Sequence, residues 1–153
     1  MPLVKETQSR VYENTSRRSN ERIHNRLQEI VIHYAGNPGS IDNRLRKLDR
    51  EWDIERILET NVSSLVMLFL LLGYFLTPWL YILPGLIGFF FLLHAIQGWC
   101  PPIPFLRWRG VRTTKEINQE RCALKALRGD FVGLEDNTLD PKLRAMAALK
   151  AAE

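Results

Sequence analysis

The stretch that decides the fold is NVSSLVMLFLLLGYFLTPWLYILPGLIGFFFLLHAIQGW, residues 61–99. Residues 61–98 contain no Asp, Glu, Lys or Arg. One bilayer crossing takes about 20 apolar residues, so this run is too long for one crossing and sufficient for two. Its middle is broken at Thr77-Pro78-Trp79. Proline lacks an amide donor and disfavours helix in the residue before it. The run is continuously apolar rather than alternating, and only helices or closed barrels satisfy the backbone in hydrocarbon. The sequence therefore predicts an all-α membrane protein built on a two-helix transmembrane hairpin over 61–99, with helices at 62–77 and 79–97. A buried helical hairpin in a soluble protein is the competing reading, and the length of the charge-free run argues against it.

Outward from the block, the sequence turns densely charged. The whole chain of 153 residues is 25% charged and carries a net charge of +4. Its mean hydropathy of −0.16 averages two unlike regimes. Arg44, Arg46, Lys47, Arg50 and Arg56 precede the first helix, and Arg107, Arg109, Arg112 and Lys115 follow the second. The turn between them has no charge. The positive-inside rule then places both termini in the cytoplasm. Trp79 and Tyr81 at the turn, with Trp99 and Trp108 at the other boundary, suit the aromatic belts of a bilayer. Cations beside an apolar block point to an anionic membrane surface, not to nucleic acid. The first residues, MPLVKETQSRVYENTSRRSNER, lack an apolar stretch, so the block itself is expected to direct insertion.

The flanks read as cytoplasmic amphipathic helices over 19–60, after a disordered tail at 1–18. Ile23, Leu27, Ile30 and Tyr34 share one helix face. Gly36-Asn37-Pro38-Gly39 ends that helix, and Ser40 is expected to cap the next. Ile41, Leu45, Leu48 and Trp52 then form a short heptad-like seam, the predicted contact set of the cytoplasmic helices. This second helix is expected to run towards Glu59 and join the first span. Beyond the membrane, residues 100–130 hold a juxtamembrane segment and another helix. Pro101-Pro102-Ile103-Pro104 predicts an extended exit, and Phe105, Leu106 and Trp108 suit the membrane interface. Thr113 and Glu116 resemble a capping box for a helix over 114–128, closed by Gly129. A tail at 131–153 includes a frayed helix from Asp140-Pro141.

Candidate chemistry is sparse. Gly73, Gly85 and Gly88 are small positions that admit close helix approach, either from a homodimer mate or within the hairpin. Pro84-Gly85 predicts a bend in the second helix. His94 is a polar group inside the span, with Gln97 on the same face. It is a weak candidate cofactor residue, since haem held by one helix needs a second ligand. The alternative is a structural hydrogen bond. Cys100, at the membrane edge in Trp99-Cys100-Pro101, is a possible thiol site for sulfur or redox handling. Its other reading is a small semi-buried residue. Cys122 reads as an ordinary helix residue. No phosphate loop, paired-His motif or nucleophile triad stands out. Catalytic, metal and cofactor assignments are therefore none.

The segment GWCPPIPFLRWRGVRT, together with the preceding short helix, turn and Leu- and Gly-rich second helix, resembles the YgaP-like transmembrane domain family of bacterial inner-membrane proteins. The resemblance spans about residues 51–111, with Gly98, Cys100 and Pro101 its most specific positions. LDREWDIERILETN and KEINQERCALKALRGDF look like a proteobacterial subgroup. The resemblance implies the hairpin fold, an inner-membrane location and a dimer. In the family's namesake the hairpin is joined to a rhodanese domain that transfers sulfur. No such domain is read in this sequence, so sulfur transfer does not carry over. The expected role is a non-catalytic scaffold or accessory subunit that binds the lipid bilayer and another membrane protein or a homodimer mate.

Overall fold

A computed structural model describes residues 8–132. The expected C-terminal helix from Asp140 lies outside these residues. The described residues form an all-α protein with no strand. The described residues divide into two compact units, 8–24 with 52–115, and 25–51 with 116–132.

The first unit holds the hairpin. Its first span is α4, Ile54–Phe75. The helix begins well before the expected position 62. Asp53 supplies the reason, because its carboxylate accepts a hydrogen bond from the Arg56 amide at 2.9 Å. An acidic N-cap satisfies one of the amides that a helix start leaves without an acceptor. Further on, Thr60 and Asn61 donate their side chains to the carbonyls of Arg56 and Ile57, each at 2.8 Å. These polar residues fold back onto the helix instead of interrupting it.

Thr77 is extended and Pro78–Tyr81 forms a 3-10 turn. The second helix, α5, follows at Ile82–Gln97. Pro84 falls in the first turn of α5, where helix amides need no intrahelical acceptor. By length and hydropathy α4 qualifies as a membrane span, and so does the stretch Pro78–Gln97. Only 11% and 6% of their most apolar windows are buried within the protein. A soluble core hairpin would be mostly buried, so these surfaces fit hydrocarbon and not a protein core.

At the open end of the hairpin, where α4 begins and α5 ends, three observations correct the sequence reading. Residues 8–18 were expected in a disordered tail. Instead Arg10–Glu13 forms the short helix α1, and the long helix α2, Arg17–Gly36, begins soon after. Val11 is buried in a cluster with Ile54, Leu58, Cys100 and Ile103. One apolar side chain with long-range partners organises a segment whose composition looks disordered. The proline-rich exit is not extended either. Ile103–Trp108 forms α6, with Pro102 at its N-cap and Pro104 in its first turn. Proline is tolerated there because those amides have no helical partner to lose. Finally, the Ile54 amide donates to the Arg112 carbonyl at 3.0 Å, and Thr114 donates its hydroxyl to Asp53. These bonds fasten the segment after α6 to the start of the first span.

The second unit is built from the later part of α2, α3 (Ile41–Leu48) and most of α7 (Thr114–Arg128). Gly129, at φ 91°, closes α7 in a left-handed conformation, with its amide bonded to the carbonyls of Lys125 and Ala126. Ile41, Leu45, Leu48, Ile117 and Leu124 form its buried core, with Tyr34 packed against them. Two expectations change here. Ser40 stands at the N-cap of α3, but its hydroxyl donates back to the Asn37 carbonyl and accepts nothing from the helix. And α3 stops at Leu48 and does not join the span. Trp52 therefore leaves the seam. It is exposed, belongs to the first unit, and lies under the Arg56 guanidinium at 4.7 Å.

Candidate functional site at the open end of the hairpin

An α-helix ends with carbonyls that have no intrahelical donor. At the end of α5 one of them is satisfied locally and two by residues far away in sequence. The His94 carbonyl accepts from the Gly98 amide at 2.8 Å. The Ala95 carbonyl accepts from Arg10 Nη1 at 3.2 Å, and the Gln97 carbonyl from Asn14 Nδ2 at 2.6 Å. Gly98 makes the approach possible. It has φ 75°, and a Cβ there would meet the Arg10 backbone at 2.5 Å. Glycine is needed both for the left-handed turn and for the lack of a side chain.

Behind this clamp lies a polar cluster. Arg10 Nη2 is 3.9 Å from Glu55 Oε1, a long ion pair. Arg10 Nε, Glu55 Oε2 and His94 Nδ1 are buried and have no hydrogen-bond partner among the described residues. His94 is 4% exposed and stacks against Phe91 with ring centroids 6.1 Å apart. Its imidazole makes no structural hydrogen bond across the hairpin through Nδ1. Each such orphaned group costs about 1–3 kcal/mol in a protein interior.

Cys100 is 4% exposed, within the Val11, Ile54, Leu58 and Ile103 cluster. Burial pushes its thiol pKa above the ordinary range, which favours the neutral and unreactive form. Arg107, seven positions beyond the thiol, is engaged elsewhere. It is 1% exposed and donates to Asn20 Oδ1 at 2.7 Å and to the Val111 carbonyl. Asn20 in turn donates to the Tyr12 carbonyl at 3.0 Å. Cys122 is exposed. Among the described residues no group of three or more His, Cys, Asp or Glu is arranged to hold a metal ion.

The three glycines separate. A Cβ on Gly73 would meet the Tyr81 ring at 2.8 Å, so this position serves packing within the hairpin. Gly85 and Gly88 have nothing within 4 Å of a built Cβ. Of the predicted cytoplasmic contact residues, Ile41, Leu45 and Leu48 meet in the core of the second unit, and Trp52 does not. Sequence reading missed Arg10, Asn14 and Asn20. Each reaches a partner 83 to 87 positions away, and no local spacing announces it.

Residues 53–116 match the family model described as "Inner membrane protein YgaP-like, transmembrane domain". This segment carries the YgaP-like transmembrane domain. The match begins at Asp53, the N-cap of α4, and reaches the first turn of α7. It therefore takes in both spans, Cys100 and α6. With the two spans, it makes this a bacterial inner-membrane protein. The comparisons with curated proteins and with solved structures give no match.

Proposed function

We propose that this YgaP-like protein is a non-catalytic scaffold or accessory subunit of a larger inner-membrane complex, with both termini in the cytoplasm. The observation that carries the reading is the combination of a lipid-exposed hairpin with a second helical unit that has its own buried core. Such a chain anchors a folded helical surface to the membrane. The two groups that invite chemistry point the same way. The Cys100 thiol is buried and held neutral, and the His94 ring is enclosed at the end of α5. Sulfur handling through Cys100 needs an accessible thiolate, which this environment disfavours.

The test is purification from native membranes in mild detergent, read by mass spectrometry and by an absorption spectrum. The expected result is a stable partner protein at defined stoichiometry and no Soret band. A clean homodimer without any other protein overturns the accessory role, and a Soret band overturns the structural reading of His94. Reporter fusions at each terminus check the topology, and a signal of periplasmic location at either end contradicts it.

A further inference from the structure

The segment after the second span has two unlike faces. In α6, Ile103 and Arg107 are buried on the side turned to the protein. The opposite side exposes Phe105 and Trp108, at 54% and 61%. Their rings pair at 6.1 Å, one helical step apart. Arginines flank the pair. The Arg109 guanidinium lies 5.6 Å from the Phe105 ring centroid, and Arg22 reaches the Trp108 carbonyl with Nη1 at 3.1 Å. Large exposed aromatics beside cations are unfavourable in water alone and favourable where hydrocarbon meets phosphate.

The position of α6 fits that layer. Gln97 ends the span and Ile103 begins α6. Even a fully extended link of this length reaches only about 20 Å, and this one is shortened by a turn in which Ile103 donates to the Cys100 carbonyl at 3.0 Å. The aromatic surface of the span also continues towards it. Phe89, exposed on α5, contacts Phe90 at 5.7 Å, and Phe90 contacts the exposed Trp99 at 5.9 Å.

We propose that α6 is an interfacial anchor, seated in the headgroup layer at the open end of the hairpin, where Phe105 and Trp108 enter the acyl boundary and Arg109 and Arg22 bind anionic phospholipid. The proposal rests on the membrane residence of the hairpin and not on the accessory role, so either can fail alone.

The full chain in nanodiscs tests it. Discs of phosphatidylcholine, with and without phosphatidylglycerol, carry bromine on the acyl carbons nearest the headgroup. The quenched part of the tryptophan emission should include a component that Trp108→Phe removes, and this component should be larger with phosphatidylglycerol. Native mass spectrometry of the detergent-extracted protein should show retained phosphatidylglycerol. Retention should fall by about fivefold for each of Arg22→Gln and Arg109→Gln, while Arg109→Lys should keep most of it. A Trp108 component that shallow bromine leaves unquenched overturns the anchor. So does quenching that appears only when a co-purified protein is removed, which would assign the face to a protein partner. Phospholipid retention unchanged in both glutamine variants overturns the anionic site.

Discussion

At the scale of single residues, the informative position is Cys100. Its sequence context, at a membrane edge, leaves two readings open, a thiol site or a small semi-buried residue. The fold gives it the second environment. Val11, Ile54, Leu58 and Ile103 surround it and the nearby Arg107 is committed to Asn20 and Val111. Maleimide applied to the folded protein at neutral pH should label Cys122 and leave Cys100 largely unmodified, as peptide mass spectrometry will show. Labelling of Cys100 at the rate of Cys122 would contradict the burial. The pH dependence follows from the raised thiol pKa. The folded state favours the protonated form more than the unfolded state does. This contribution to stability is complete below the ordinary thiol range, and it is lost as pH rises through that range towards the raised folded value. Cys100→Ala should therefore flatten the alkaline limb of the stability curve.

At the scale of elements, the hairpin is held by a close approach between the end of α4 and the 3-10 turn. Gly73 faces the Tyr81 ring there, and a Cβ in its place would meet that ring at 2.8 Å. Gly73→Ala must displace that ring, an overpacking cost of about 1–3 kcal/mol. Gly85→Ala and Gly88→Ala meet open space and should change hairpin stability by less than about 0.5 kcal/mol. Unfolding in mixed micelles will compare the three. Equal losses at all three positions would show that Gly85 and Gly88 also face a partner helix. The clamp at the other end follows the same logic of satisfied termini. Arg10 and Asn14 provide donors to the last carbonyls of α5, which in an exposed helix would go to water.

For the whole molecule, the second unit is stabilised by a buried charge pair as well as by its apolar core. Glu120 is fully buried on α7 and receives Arg44 of α3 through Nε at 2.6 Å and Nη2 at 3.1 Å. Removing the cation from a buried bidentate pair leaves a carboxylate in low dielectric. Arg44→Ala should cost this unit about 3–5 kcal/mol, whereas Arg44→Met combined with Glu120→Leu should recover most of the loss. Hydrogen exchange read peptide by peptide will locate the effect. Protection lost in α3 and α7 and kept in α4 and α5 is the expected pattern. Uniform loss along the chain would mean that the two units unfold together.

The existence of two membrane spans, the turn at Pro78 and the core seam at Ile41, Leu45 and Leu48 were all legible in the sequence. Membrane insertion is close to a residue-by-residue transfer, and helix faces repeat at fixed spacing, so both are written locally. Even there, local reading overran its reach: it carried the seam on to Trp52, because spacing cannot say where a helix stops. The tertiary structure alone decided that residues 10–13 fold, that α6 is helical, that Gly73 packs within the hairpin, and that His94 and Cys100 are enclosed. Each of these depends on partners distant along the chain, such as Arg10 with Ala95 and Asn20 with Arg107. Chain closure brings such groups together, and nothing in their local spacing records it.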